Sequence, residues 1–200
     1  MKGSLIIIGF FTVGILLAYF NFLPDFILEN DISYYALLFL MFFVGIGTGA
    51  NPKTWQMLKK AKLSVFLVPV SAAIGTWIGV VIVSIFLPTI NIKEGLAIGS
   101  GFGYYSLSSI LISETSGELL GVTALLSNIF REILTLLFTP VIAKYFGKIA
   151  PIAVGGATSM DTTLPIITKY VGSEFAIISV FSGTILTIAV PILVAFFLSL

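Results

Sequence analysis

Seven apolar segments, at 4–22, 33–50, 63–87, 95–112, 119–143, 150–168 and 175–199, fill almost the whole chain and dictate its solvent. A helix needs about 20 predominantly apolar residues to cross a bilayer, and several of these runs reach that length. Lipid offers a backbone no hydrogen bonds, so a segment inside it must satisfy its own amides and carbonyls. The fold expected is an all-α polytopic membrane protein. Pro24, Asn51-Pro52 and Pro88 mark three turns between segments. No polar linker is long enough to separate domains, so residues 1–200 read as one membrane domain. The run after Met1-Lys2 is long and lacks an A-x-A cleavage site, which makes it a retained span rather than a signal peptide.

Two of the seven segments do not suit a plain span. Gly99–Ser109 reads GSGFGYYSLSS, with three glycines, four serines and two tyrosines in eleven residues. Val154–Pro165 reads VGGATSMDTTLP, again rich in glycine and hydroxyls, with Asp161 inside it. Both weaken a helix where lipid tolerates little else.

Charge placement predicts what these two segments do. Cytoplasmic loops are enriched in Lys and Arg, so Lys53, Lys59, Lys60 and Lys62 put the second loop inside. If all seven segments cross, the remaining lysines are split between the two sides. If 95–112 and 150–168 instead dip in and return, Lys2, Lys144, Lys148 and Lys169 join the inside group. Lys93 alone is then outside, with Asp25, Glu29, Asp31, Glu94, Glu114 and Glu118. The second arrangement is cleaner. It predicts about five spans plus two re-entrant, broken hairpins, with the N-terminus in and the C-terminus out.

The chain also matches itself at an offset of 56 residues. LAIGSG (Leu96–Gly101) falls on IAVGGA (Ile152–Ala157), Ile110-Leu111 on Ile166-Ile167, and Glu118 on Glu174. Each unit is then a span plus a hairpin, 63–118 and 119–174, after two leading spans in 1–60 and before a last span in 175–200. A unit that crosses once leaves its copy upside down. Glycine-interrupted segments at matching places of inverted halves are a sequence pointer to a transporter's substrate site. One membrane transport domain is therefore expected, with the two breaks meeting near the midplane.

Charged side chains inside apolar segments are few: Arg131, Glu132 and Asp161. Each costs a few kcal/mol at the bilayer centre on insertion scales, about 2.5–3.5 for Arg or Asp, which makes each a functional candidate. Asn128 and Glu132 lie four apart, as do Arg131 and Thr135, and with Thr139 they form a polar stripe at helical spacing. Glu132 is a candidate cation or proton site, with a structural salt bridge as the alternative. Arg131 is expected to neutralise or orient a carboxylate. Asp161, among Thr158, Ser159, Thr162 and Thr163, is a candidate cation ligand, with helix capping as the alternative. The first break contributes Ser100, Gly101, Gly103, Tyr104 and Ser106 as candidate binding positions, their amides and hydroxyls facing the same cavity. Trp55 and Trp77 read as interface anchors.

The chemistry these residues allow is narrow. With no Cys and no His, thiol catalysis, imidazole acid–base work and Cys/His metal sites are excluded. No G-x-x-x-x-G-K-[ST] motif is present, which disfavours ATP-driven pumping by this chain. An intramembrane aspartyl protease would want two aspartates sharing a proton, and only Asp161 lies at membrane depth. A carboxylate in a low-dielectric cavity holds a proton until a cation replaces it. That exchange is a minimal antiport, and it needs no cofactor beyond a coupling H⁺ or Na⁺.

Three motifs carry a resemblance. GSGFGYYSLSSILISET (Gly99–Thr115), SNIFREI (Ser127–Ile133) and GGATSMDTTLPI (Gly155–Ile166) resemble, together and in this order, the LysO family of lysine exporters. The resemblance implies export of L-lysine and its cationic analogues across the cytoplasmic membrane. It also implies two essential intramembrane carboxylates, which match Glu132 and Asp161 by motif. Longer members carry a further N-terminal half. A homodimer or a separately encoded partner for that half is therefore expected, besides the lipid bilayer and the small-molecule substrate. The alternatives are a transporter of another small amino acid or metabolite, one subunit of a split two-chain exporter, or a channel.

Overall fold

A computed structural model of the chain describes residues 63–86 and 90–200, with scattered positions between 12 and 42. The expected spans 4–22 and 33–50, the lysines at 53–62 and Trp55 fall outside the described residues, apart from those scattered positions. Every described element is helical. In chain order they are α1 (Leu63–Ser84), α2 (Ile92–Gly99), α3 (Tyr105–Ser116), α4 (Glu118–Phe146), α5 (Ala150–Gly155), a 3₁₀ turn (Gly156–Met160), α6 (Leu164–Val171), a 3₁₀ turn (Ser173–Phe175) and α7 (Ala176–Ser199). Among the described residues, three helical stretches are long and apolar enough to cross a membrane: Val65–Ser84, Glu118–Phe146 and Ser173–Ser199.

Local sequence explains where the helices stop and start. Asn91 opens α2 with a capping box: its side chain accepts from the first turn, and its own N–H donates to Glu94 Oε2 at 2.9 Å. Helix α2 ends one residue before Ser100, and α5 ends at Gly155, where the two glycine-rich breaks begin. Pro151 and Pro165 sit in the first turns of α5 and α6, where a missing N–H costs nothing. The order long helix, short helix, break, short helix thus occurs twice, as α1–α3 and α4–α6. The broken segments are longer than the apolar periodicity suggested. The first begins at Ile92 rather than 95, and the second runs to Val171 rather than 168.

The core gathers around the first break. Phe102 is completely buried, with φ of +46°, among Ala97, Ile98, Leu107, Ala124, Ala157 and the α7 residues Leu186 and Val190. A bulky residue at positive φ is uncommon and needs its surroundings to hold it. A smaller cluster, Val68, Ile152, Ile167 and Val171, ties α5 and α6 to α1. Helix α7 packs on the 3₁₀ turn at Gly156–Met160 as well as on α1, α2 and α3, so it braces both breaks. The outward faces of α1 and α4 remain apolar and exposed, including Ile78, Ile82, Leu137 and Phe138, as a lipid-facing surface requires.

Candidate functional site

The two breaks touch. The backbone N–H of Ala157 donates to the Phe102 carbonyl at 2.8 Å, joining the second break to the first. The approach is too close for a side chain on Gly156. Its φ is +62°, and an added Cβ would lie 2.3 Å from the Phe102 oxygen. Glycine is therefore required there twice over, by conformation and by contact.

Helix α4 holds this crossing through the predicted polar stripe. Asn128, Glu132, Thr135 and Thr139 are all buried on one face of the helix. Asn128 spends its amide on the first break. Its Oδ1 accepts from the Gly103 N–H at 2.7 Å, and its Nδ2 donates to the Ile98 carbonyl at 3.1 Å and to Ala124 at 2.9 Å. Gly101 makes room for it, since a Cβ there would lie 2.6 Å from Nδ2. Thr135 and Thr139 return their hydroxyls to carbonyls of their own helix, Arg131 and Thr135.

Among the described residues Arg131 makes no ion pair. Its Nε donates to the Val154 carbonyl at 2.8 Å, one Nη to Ala153 at 3.1 Å, and the other to Thr76 Oγ1 at 3.0 Å. The guanidinium also lies 5.9 Å from the centre of the Phe102 ring. It therefore satisfies the carbonyls left open where α5 ends. The expectation that it orients a carboxylate gives way to this one: a planar fork of donors suits two adjacent carbonyls and a hydroxyl better than it suits a distant Asp. Among the described residues the one ion pair within 4 Å is Lys148–Glu174, on the surface.

The two carboxylates come from different elements. Glu132 is 2% exposed on α4. Asp161, just past the 3₁₀ turn, stays exposed. Asp161 does not cap α6. Its side chain accepts from the backbone and hydroxyl of the adjacent Thr162, and Thr163 occupies the cap position without a side-chain bond. Tyr104 is half-buried at the end of the first break, and Ser106 lies half-buried in the first turn of α3.

The remaining candidates line the breaks from within. Ser100 is fully buried, donates to the Leu96 carbonyl and accepts from Trp77 Nε1 at 2.9 Å. Thr158 Oγ1 donates to the Gly155 carbonyl at 2.8 Å and lies 3.4 Å from Thr163 Oγ1. Ser159 Oγ donates to the Gly156 carbonyl at 2.7 Å and to Ser179 of α7 at 3.0 Å. Ser100, Thr158 and Ser159 thus shape the backbone more than they face open space.

Trp77 departs from its expected role. It packs inward on Phe102 and Phe197, with ring centres 6.4 and 5.4 Å away, instead of anchoring an interface. The Ser100 hydroxyl gives its indole N–H a partner there. Thr76 and Phe102 also belong to the assembly, and the glycines either side of Phe102 were its only sequence signal. Beside the crossing, a cavity of about 490 Å³ opens between α1, α2 and α4, with Thr76, Asn128 and Arg131 on its wall. Neither carboxylate lines it. No group of three acidic side chains able to hold a metal occurs among the described residues.

Helices long enough to span and two touching breaks define a class: an all-α membrane protein built as transporters are built. Comparison with known proteins gives the family. The family described as lysine exporter LysO matches residues 8–198, and the chain belongs to it. That family is one of transporters, not enzymes. The chain is 33% identical to lysine exporter LysO of Escherichia coli over 84% of its own length and 55% of that protein's. It is 35% identical to a protein of Haemophilus influenzae, provisionally named a lysine exporter, over 85% of its own length and 86% of that one's. The chain therefore spans about half the length of the first relative and most of the second. No solved structure matches it.

Proposed function

We propose that this chain forms the transport core of a secondary exporter of L-lysine and cationic analogues across the cytoplasmic membrane. One observation carries the reading: Glu132 is buried on the face of α4 whose Asn128 holds the first break, and Asp161 directly follows the second break, where the two breaks touch. Arg131, the cationic side chain nearest in sequence, is committed to carbonyls and Thr76. Two carboxylates so placed favour a cation between them, and the ε-ammonium of lysine supplies one. The names of the two relatives agree with that substrate.

Exporting a cation against an inside-negative potential costs about 2.3 kcal/mol per charge per 100 mV, so inward H⁺ or Na⁺ drives the cycle. In this mechanism the ammonium displaces the coupling ion from the carboxylates, and the broken segments move as the site opens to the other side. The segments 63–118 and 119–174 act as inverted repeats, the N-terminus lies inside and the C-terminus outside. A second copy or a separately encoded partner supplies what longer relatives carry in their further length. Counterflow of labelled lysine into vesicles tests the reading. The wild type accumulates label and Glu132→Gln does not. Equal uptake by both would remove Glu132 from the mechanism.

A further inference from the structure

Behind the second break lie two hydroxyls that the protein itself does not satisfy. Ser179 and Ser182 of α7 are each fully buried, and neither Oγ has a hydrogen-bond partner. A helical serine ordinarily returns its hydroxyl to the carbonyl one turn back, as Ser71, Thr76, Ser100, Ser108 and Thr168 do here. Leaving two buried hydroxyls unmatched at membrane depth is costly, and such groups point to a ligand.

Their placement says which kind. Residues three apart on a helix are neighbours on one face, so the two oxygens are presented together. They sit where α7 packs on the 3₁₀ turn Gly156–Met160, and Ser159 Oγ donates to the Ser179 carbonyl at 3.0 Å. Asp161 follows the turn directly and brings a negative charge to it. Arg131 is committed to the end of α5, through the carbonyls of Ala153 and Val154. Neutral hydroxyls beside the carbonyls of a helix break form a hard oxygen environment, the kind that transporters use for monovalent ions at helix breaks.

We propose that Ser179 and Ser182, with the 3₁₀ turn at 156–160, form a sodium site. Bound there, Na⁺ ties α7 to the second break and holds Asp161 in position for the substrate ammonium. This rests on the export reading and adds a bound ion to the broken segment that carries Asp161.

The test is thermal unfolding of the purified full chain without lysine, in sodium chloride against choline chloride at matched ionic strength. The wild-type midpoint rises with the logarithm of Na⁺ concentration, as it must for a ligand of the folded state. The double variant Ser179→Ala/Ser182→Ala loses that rise. In choline it melts at or above the wild type, because the unmatched hydroxyls are gone. Ser182→Ala alone shows a reduced rise and covers the case in which the double variant does not fold. A wild-type midpoint equal in the two salts would overturn the proposal and leave the hydroxyls to bound water. A Na⁺ response that survives in the variants would overturn it too, by placing the ion elsewhere. Because lysine is absent, a failure of lysine counterflow with an intact Na⁺ response counts against the export reading alone.

Discussion

Gly156→Ala tests the contact between the two breaks. The substitution has two separable costs. At φ of +62° an alanine is strained, at about 1–3 kcal/mol for a sparsely populated backbone region. Its Cβ would also lie 2.3 Å from the Phe102 oxygen, so the breaks must part. Overpacking of this kind costs about 1–3 kcal/mol, and parting the breaks stretches the bond from the Ala157 N–H to Phe102. Gly147→Ala isolates the first cost, because Gly147 has φ of +90° and nothing lies within 4 Å of the place its methyl would take. The difference between the variants is the contact, about 2 kcal/mol from the overpacking range. At about 2–4 °C per kcal/mol for a chain of this size, Gly156→Ala melts roughly 4–8 °C below Gly147→Ala. Thermal unfolding of both in one detergent measures it. Equal midpoints would refute the reasoning, since they would mean that the second break does not press on Phe102.

Three further outcomes follow from the hydrogen bonds around the crossing. Asn128→Leu leaves the buried Gly103 N–H without its acceptor and lowers stability by about 1–3 kcal/mol in a thermal melt; Asn128→Asp does not recover the loss, because its second oxygen faces the Ile98 and Ala124 carbonyls. Arg131→Lys keeps the charge but cannot reach Ala153, Val154 and Thr76 together; its midpoint falls, and in counterflow it loses more rate than apparent lysine affinity, as fits a positioning residue. Trp77→Phe keeps the packing on Phe102 and loses the bond to Ser100, at about 0.5–1.5 kcal/mol, read against Trp77→Ala in denaturant or heat.

Much of this assembly was legible in the chain because membrane depth leaves few options. The apolar runs fixed α1, α4 and α7, and the glycine clusters marked both breaks, at Gly99 and Gly155. The i, i+4 spacing of Asn128 and Glu132 put the polar stripe on one buried face. What the pattern missed was partner choice. Arg131 stands beside Glu132 in sequence, and charge alone suggests a carboxylate for it. Helix geometry turns adjacent residues about 100° apart, and the open carbonyls of α5 are what its fork meets. Trp77 reads as an interface residue by type, yet one buried hydroxyl at Ser100 is enough to bring its indole inside. Phe102 contributes through a backbone carbonyl, which side-chain reasoning does not register.

The central claim is that the carboxylates at the crossing bind a cationic amino acid. Lysine binding to the purified chain by calorimetry, with wild type and Asp161→Asn side by side, tests it most directly. Asp161 is exposed, so the variant stays folded, its stability changed by no more than about 0.5 kcal/mol. The account predicts heat of binding from the wild type and none from the variant. Binding of equal strength by both would contradict it.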